Sequence, residues 1–161
     1  RLTTFGIGSI VLDTDAYNEI DDQYAIAYAL SATGIDVEGI YAAPFHNARS
    51  AGPGDGMTKS HAELQRVLDG IGQTPSDGVF DGRRRICRGT EHQTVIRLRT
   101  ISSSGHANTD ADPLYVVAIG APTNVAAALF RAPDIGENIV VLWLGGTPHG
   151  TQPRSSTSNR T

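Results

Sequence analysis

Five acidic residues lie close together near the start of the chain, and they are the residues best suited to chemistry. They are Asp13, Asp15, Glu19, Asp21 and Asp22. The apolar run 10–12 before them predicts a buried strand, and the spacing of apolar residues over 20–30 predicts a helix. Because ligands bind at the carboxyl ends of strands in open α/β sheets, we expect these carboxylates to line a crevice.

Carboxylates at this spacing repel one another unless an opposite charge neutralises them. A hard cation such as Mg²⁺ or Ca²⁺ is the simplest neutraliser, because it prefers carboxylate oxygens. Helix N-capping by Asp21 or Asp22 is the alternative interpretation, but a cap needs a single residue and this segment holds more acids than that. The segment therefore predicts a cation site.

Strands and helices alternate along much of the chain. Strands are predicted at 10–12, 37–42, 114–119 and 139–144, and helices at 21–32, 58–68 and 124–130. This order predicts an α/β fold, a mostly parallel Rossmann-like sheet with helices on both faces. We expect Gly34 and Gly70 to end the first two helices and Asn124 to cap the start of the third. The glycine-rich segment 51–56 is predicted to be a polar loop beside the acidic residues.

The acidic segment resembles the N-terminal signature of the inosine-uridine-preferring nucleoside hydrolase family, a strand followed by Asp-x-Asp-x-x-x-Asp-Asp and a helix. Here the spacer 16–20 is two residues longer than in the commonest form, as in a divergent branch of the family. Segment 114–129 looks like the family's strand, Gly-x-x-Thr-Asn turn and helix. Segment 139–146 is similar to its next strand and Gly-Gly end. The chain therefore resembles the N-terminal half of a nucleoside hydrolase-like domain over residues 1–149.

The resemblance implies a Ca²⁺-dependent enzyme that cleaves the N-glycosidic bond of ribonucleosides to give ribose and free base. It implies that Asp15 is both a metal ligand and the general base, and that Asp22 is a second metal ligand. It also implies that Ile119 offers its backbone carbonyl to the metal and that Asp21 accepts a ribose hydroxyl. Asn47 is a further candidate for contact with the ribose, although a turn-forming role is an alternative for this residue.

The family is about twice as long, and its later ribose-binding and His-Asp segments have no counterpart here. The resemblance thus implies an incomplete sheet with uncovered edges and an impaired or inactive enzyme, because one carboxylate ligand is lacking. The Arg-rich segment 82–105 fits the family poorly, and both divergence and a frameshift are interpretations of it. Residues 150–161 have the composition of a disordered tail.

Two other classes of function stay open. A haloacid dehalogenase-like phosphatase also carries Asp-x-Asp after its first strand, so Asp13 would be its nucleophile and Asp15 its partner. That interpretation gives no role to the Asp21–Asp22 pair or to the turn 120–124. A non-catalytic sugar-binding or metal-binding module, or a degraded copy of a hydrolase, is the second alternative.

Composition restricts the partners more than the activity. The 161 residues carry 13 Lys and Arg against 17 Asp and Glu, which gives no electrostatic reason to bind nucleic acid. Cys87 is the one cysteine, so no intrachain disulfide framework forms. No apolar stretch approaches the roughly 20 residues of a membrane-spanning helix. We therefore expect a cytoplasmic protein without a nucleic-acid or membrane partner. The family resemblance implies a small nucleoside as its partner, and a homo-oligomer remains open.

Overall fold

The computed structural model of the protein describes residues 8–86 and 113–145. Its strands are β1 (Gly8–Thr14), β2 (Ile35–Ala42), β3 (Gly78–Phe80), β4 (Leu114–Ala118) and β5 (Ile139–Trp143). Its helices are α1 (Ile20–Ser31), α2 (Pro53–Ile71), α3 (Thr123–Arg131) and a 3₁₀ helix (Pro133–Glu137). The predicted elements are all present, and β3 is an additional short strand that the sequence pattern did not indicate.

The strands form one sheet in the order β3-β2-β1-β4-β5, and every pairing in it is parallel. β1 is therefore the central strand, with β2 on one side and β4 on the other. The backbone carbonyls of its last two residues extend these pairings, since Thr14 accepts from Ala43 N at 2.7 Å and Asp13 accepts from Ile119 N at 2.8 Å. The predicted α/β class is confirmed, and the end of β1 lies between the loops that follow two neighbouring strands.

Apolar side chains cover both faces of the sheet. Alternation along β1 sends Ile10 and Leu12 to the face covered by α1 and α2, and Val11 to the face covered by α3 and the 3₁₀ helix. Buried strands of this kind need a helix layer on each side, which the alternating chain provides. These two layers fix β1 firmly, so its carboxyl end is a rigid base for the acidic residues.

Helix α2 begins earlier than predicted, because part of the segment read as a loop is its first turn. Pro53 occupies the start of the helix, where its fixed φ angle is favourable and its missing N–H is not needed. Gly56 is buried, and a Cβ at this position would lie 2.2 Å from the carbonyl oxygen of Phe45. Gly56, one of the glycines that suggested a loop, therefore permits close contact between α2 and the chain after β2.

Two of the predicted helix ends are also corrected. The C-cap of α2 is Gly72, which has φ of +67°, rather than Gly70, which lies inside the helix. The C-cap of α1 is Ala32, and Gly34, with φ of +95°, lies in the turn that leads to β2. Glycine adopts positive φ without steric cost, so each turn uses a glycine close to the predicted position.

Both edges of the sheet are open within the described residues. β5 is one edge, and Val141, Leu142 and Trp143 are 39–50% exposed, so both of its faces are partly uncovered. An apolar parallel strand in this position is a template for pairing with another chain. Within 8–86 and 113–145, no helix has the length and apolar character needed to cross a membrane. Most of the segment 82–105 and all of the segment 150–161 lie outside the described residues.

Candidate functional site

The candidate site is built at the carboxyl end of β1. Asp13, Thr14 and Asp15 are consecutive there, and all three are buried, with Asp15 only 7% exposed. Strand geometry sends alternate side chains to opposite faces, so Asp13 and Thr14 reach different neighbours. The site therefore begins as a row of buried polar groups in a position that is usually apolar.

Helix α1 turns one acidic residue toward this row. Asp22 is 6% exposed and lies on the same helical face as the buried residues Ile26 and Ala29. Its carboxylate accepts a hydrogen bond from the hydroxyl of Thr14 at 2.7 Å. Because Asp22 faces the sheet, Tyr24 and Tyr28 face outward and are each 72% exposed.

Neither member of the Asp21–Asp22 pair caps α1. The N-cap residue is Glu19, and it makes no side-chain capping bond. The two aspartates lie in the first turn, where the helix dipole favours negative charge. The acidic pair is therefore available for a role other than N-capping.

Asp13 is held by Asn124, and this contact replaces the predicted helix cap. The N-cap residue of α3 is Pro122, whereas the Asn124 side chain donates to Asp13 Oδ1 at 2.7 Å and to the carbonyl of Ala42 at 3.2 Å. Asn124 Oδ1 accepts from the backbone N–H of Arg83 at 2.7 Å. Asn124 thus joins α3 to the ends of β1 and β2 and to the loop after β3.

This buried contact needs a glycine beside it. A Cβ on Gly82 would lie 1.9 Å from the carbonyl oxygen of Ala42 and 2.5 Å from Nδ2 of Asn124. Any larger residue at 82 would force the loop after β3 away from the sheet. The first residues of the doubtful segment 82–105 are therefore integrated into the fold at this point.

Burial dominates the protonation of the aspartates. It raises the pKa of Asp13 to about 7, and repulsion from Asp15 adds to this effect while the bond from Asn124 opposes it. Burial also raises the pKa of Asp22 to about 6, although the hydrogen bond from Thr14 lowers it. Burial likewise raises the pKa of Asp15, and hydrogen bonds that include the one from Asn18 oppose this increase. Repulsion from nearby acids raises the pKa of Asp15 and of Asp22 further. The site therefore favours a bound proton or another positive charge.

Asp15 is surrounded closely on two sides. On one side, Asn18 Nδ2 donates to its Oδ2 at 3.0 Å. On the other side lies Gly120, where a Cβ would be 2.7 Å from Asp15 Oδ1. The turn after β4 therefore meets the acidic loop directly, and it places the backbone at Ile119 and Gly120 beside this carboxylate.

The loop after β2 reaches the same region through Asn47. Its Nδ2 donates to Asn18 Oδ1 at 2.6 Å, and its Oδ1 accepts from the backbone N–H of Arg49 at 2.9 Å. The Arg49 guanidinium also donates to the backbone carbonyl of Asn18. Asn47 is exposed, so its side chain lies at the rim of the site.

The structure brings most of the predicted site residues into one region. Asp15 and Asp22 are buried there, Asn47 is connected to Asp15 through Asn18, and Ile119 is bonded to the end of β1 by its backbone N–H. Asp21 lies in the first turn of α1 and is exposed. Within 8–86 and 113–145, no three His, Cys, Asp or Glu side chains are grouped so as to hold a metal ion.

Several residues that shape the site were not singled out from the sequence. Thr14 and Asn18 follow or adjoin the aspartates, so their position in the acidic segment was the available signal. Gly82 and Gly120 act through the absence of a Cβ, which becomes visible only when their neighbours are known. The resulting site presents carboxylate and amide groups, which suit a hard cation or the hydroxyl groups of a polyhydroxylated ligand.

Comparison with solved structures identifies proteins that share this fold. An inosine-guanosine nucleoside hydrolase matches with a TM-score of 0.65 at 17% identity, covering 88% of this chain and 48% of that protein. A plant nucleoside hydrolase matches with a TM-score of 0.58 at 20% identity, covering 86% and 48% of the two chains. An inosine-uridine preferring nucleoside hydrolase from Bacillus anthracis matches with a TM-score of 0.52 at 17% identity, covering 88% and 51%.

These matches confirm the nucleoside hydrolase-like fold that the sequence predicted. The chain spans about half the length of the solved structures that it matches. No protein-family model and no curated protein matches the sequence.

Proposed function

We propose that this chain carries the ribose-binding and cation-binding part of a nucleoside hydrolase site, for cleavage of the N-glycosidic bond of ribonucleosides. The observation that carries this proposal is the buried pair Asp15 and Asp22 at the end of the central strand, with Asn47 connected to Asp15. The shared fold supports it, because the matched proteins are nucleoside hydrolases by name.

The side chains fit a hard cation such as Ca²⁺ in donor type. Asp15 and Asp22 offer carboxylate oxygens, and burial together with repulsion from nearby acids raises the pKa of both. Both would hold Ca²⁺, together with the backbone carbonyl of Ile119. A site with two carboxylates binds Ca²⁺ weakly, since affinity rises with the charge and number of ligands. When bound, Ca²⁺ would acidify a neighbouring water and orient the diol of a ribose.

The chain's own residues have distinct roles in this proposal. Asp15 would accept a proton from the attacking water, because burial and nearby acids raise the pKa of its carboxyl. Asp21 and Asn47 lie toward solvent, where they can bond the ribose hydroxyls. The sugar acquires positive charge as the bond to the base breaks, and the acidic loop stabilises that charge.

The burial of Asp13 argues against the phosphatase alternative. A nucleophilic Asp13 would have to reach a phosphoryl group, but its side chain is 2% exposed and its Oδ1 is bonded to Asn124. Burial to this degree is typical of a side chain that stabilises the site through its hydrogen bonds, rather than of a nucleophile that contacts the substrate. Binding of a nucleoside or cation without turnover is the better second candidate, because the buried carboxylates of Asp15 and Asp22 offer ligands for either.

Nucleoside binding tests the proposed function without requiring turnover. We expect saturable binding of inosine, guanosine or uridine in calorimetry when Ca²⁺ is present, with little or no ribose release in a reducing-sugar assay. Asp21→Asn should weaken binding about tenfold or more, because a charged hydrogen bond to the ligand is lost. The matched control is Asp36→Asn, an exposed aspartate near the opposite end of β2. Failure of every nucleoside and of free ribose to bind the folded protein would overturn the proposal.

A further inference from the structure

The acidic loop contains an asparagine that joins two predicted site residues. Asn18 lies in the spacer 16–20, the segment that is two residues longer than in the commonest form of the resembling family. Its backbone N–H donates to the carbonyl of Asp15 at 2.6 Å, which closes the turn between β1 and α1. Its side-chain amide then donates to Asp15 Oδ2 at 3.0 Å. Asn18 therefore bonds Asp15 both from the backbone and from the side chain.

The same side chain holds the loop after β2. Asn18 Oδ1 accepts from Asn47 Nδ2 at 2.6 Å, and the Asn18 backbone carbonyl accepts from the Arg49 guanidinium. Asn18 and Asn47 are 29 residues apart in the chain, so these bonds connect two separate loops. The Asn18 side-chain amide is thus the direct connection between Asp15 and Asn47.

An amide is the group that this position requires. Asp15 needs a donor on its Oδ2, whereas the Asn47 amide needs an acceptor, and asparagine offers both within one short side chain. A carboxylate at 18 would lose the donor and add another negative charge beside Asp15. Alanine would lose both contacts.

We propose that Asn18 is a positioning residue that orients the Asp15 carboxylate and holds Asn47 beside the same ligand. With Oδ2 bonded to Asn18, Asp15 presents Oδ1 toward the turn at Gly120, next to the backbone of Ile119. The role of Asn18 rests on the proposed function, because it matters to ligands that Asp15 and Asn47 bind. Residues that orient a ligating carboxylate commonly change metal affinity about 10-fold to 100-fold when removed.

The test compares Asn18→Ala with Asn47→Ala and with Asn138→Ala, an exposed residue next to the N-terminal end of β5. Calorimetric titration with Ca²⁺ is made well below the melting temperature of each variant. Asn18→Ala should weaken Ca²⁺ binding about tenfold, whereas Asn138→Ala should leave it unchanged. Asn47→Ala should weaken nucleoside binding. Equal Ca²⁺ affinity in Asn18→Ala and the unsubstituted protein would overturn the inference.

A second measurement separates this inference from the proposed function. In ¹⁵N-labelled protein, the side-chain amide signals of Asn47 should shift toward those of free asparagine in Asn18→Ala and stay in place in Asn138→Ala. If the unsubstituted protein binds neither Ca²⁺ nor nucleoside, the proposed function fails and these signals decide the inference. Unchanged Asn47 signals in Asn18→Ala would then overturn it.

Discussion

Replacing Asn124 with alanine is expected to destabilise the protein by about 3 kcal/mol or more. The substitution leaves Asp13 Oδ1, the Ala42 carbonyl and the Arg83 N–H without the partner that each has now. Asn124 is 2% exposed, so water cannot easily replace it. A buried polar group that loses its partner costs about 1–3 kcal/mol, and several lose one here. Urea denaturation monitored by circular dichroism measures the change in the free energy of unfolding.

Asn138→Ala is the matched control for this result. Asn138 is exposed and follows the 3₁₀ helix, so its loss should change stability by about 0.5 kcal/mol or less. If Asn124→Ala costs no more than Asn138→Ala, Asn124 does not hold the ends of the strands together.

The protein without bound cations should become less stable as the pH rises from about 4 to 8. The pKa of Asp13 is about 7 in the folded protein and that of Asp22 is about 6, whereas an unfolded aspartate has the ordinary value of 3.8. Between these values the folded state binds more protons than the unfolded state, so the free energy of unfolding falls with increasing pH. The decrease starts near pH 4 and levels off above pH 7, and Asp13 alone contributes on the order of a few kcal/mol.

Urea denaturation at pH 5 and pH 8 in the presence of EDTA measures this slope. Asp13→Asn removes one titrating group while its side-chain oxygen can still accept the bond from Asn124, so it should reduce the slope to the part that Asp22 contributes and stabilise the protein at pH 8. Asp36→Asn, at an exposed site, should leave the slope as it is. An unchanged slope in Asp13→Asn would show that Asp13 is ionised throughout this range.

The sheet was predictable because its signals are local. Apolar runs such as that before Asp13 and the helical spacing after Asp21 are short patterns, and parallel order follows when strands and helices alternate. The clustering of Asp15 and Asp22 was predictable for the same reason, since eight residues or fewer separate the members of the acidic segment. Strand β3, with three residues, has too short a pattern to be recognised.

The errors arise where distant contacts override local rules. The turn before Asn124 predicts a helix cap at this residue, but its partners Asp13 and Ala42 are 111 and 82 residues away. The segment 51–56 was read as a loop because of its glycines, whereas contact with Phe45 explains Gly56. Sequence reasoning could identify the acidic residues of the site, but not the groups that hold them in place.

The most direct test of the proposed function is a calorimetric Ca²⁺ titration of this chain beside the double variant Asp15→Asn, Asp22→Asn. We expect one saturable site with a dissociation constant on the order of 0.1–1 mM, lost in the double variant and retained in Asp36→Asn. Circular dichroism establishes that each protein is folded. Absence of saturable binding by the folded chain, or equal binding by the double variant, would contradict the placement of the cation at the end of β1.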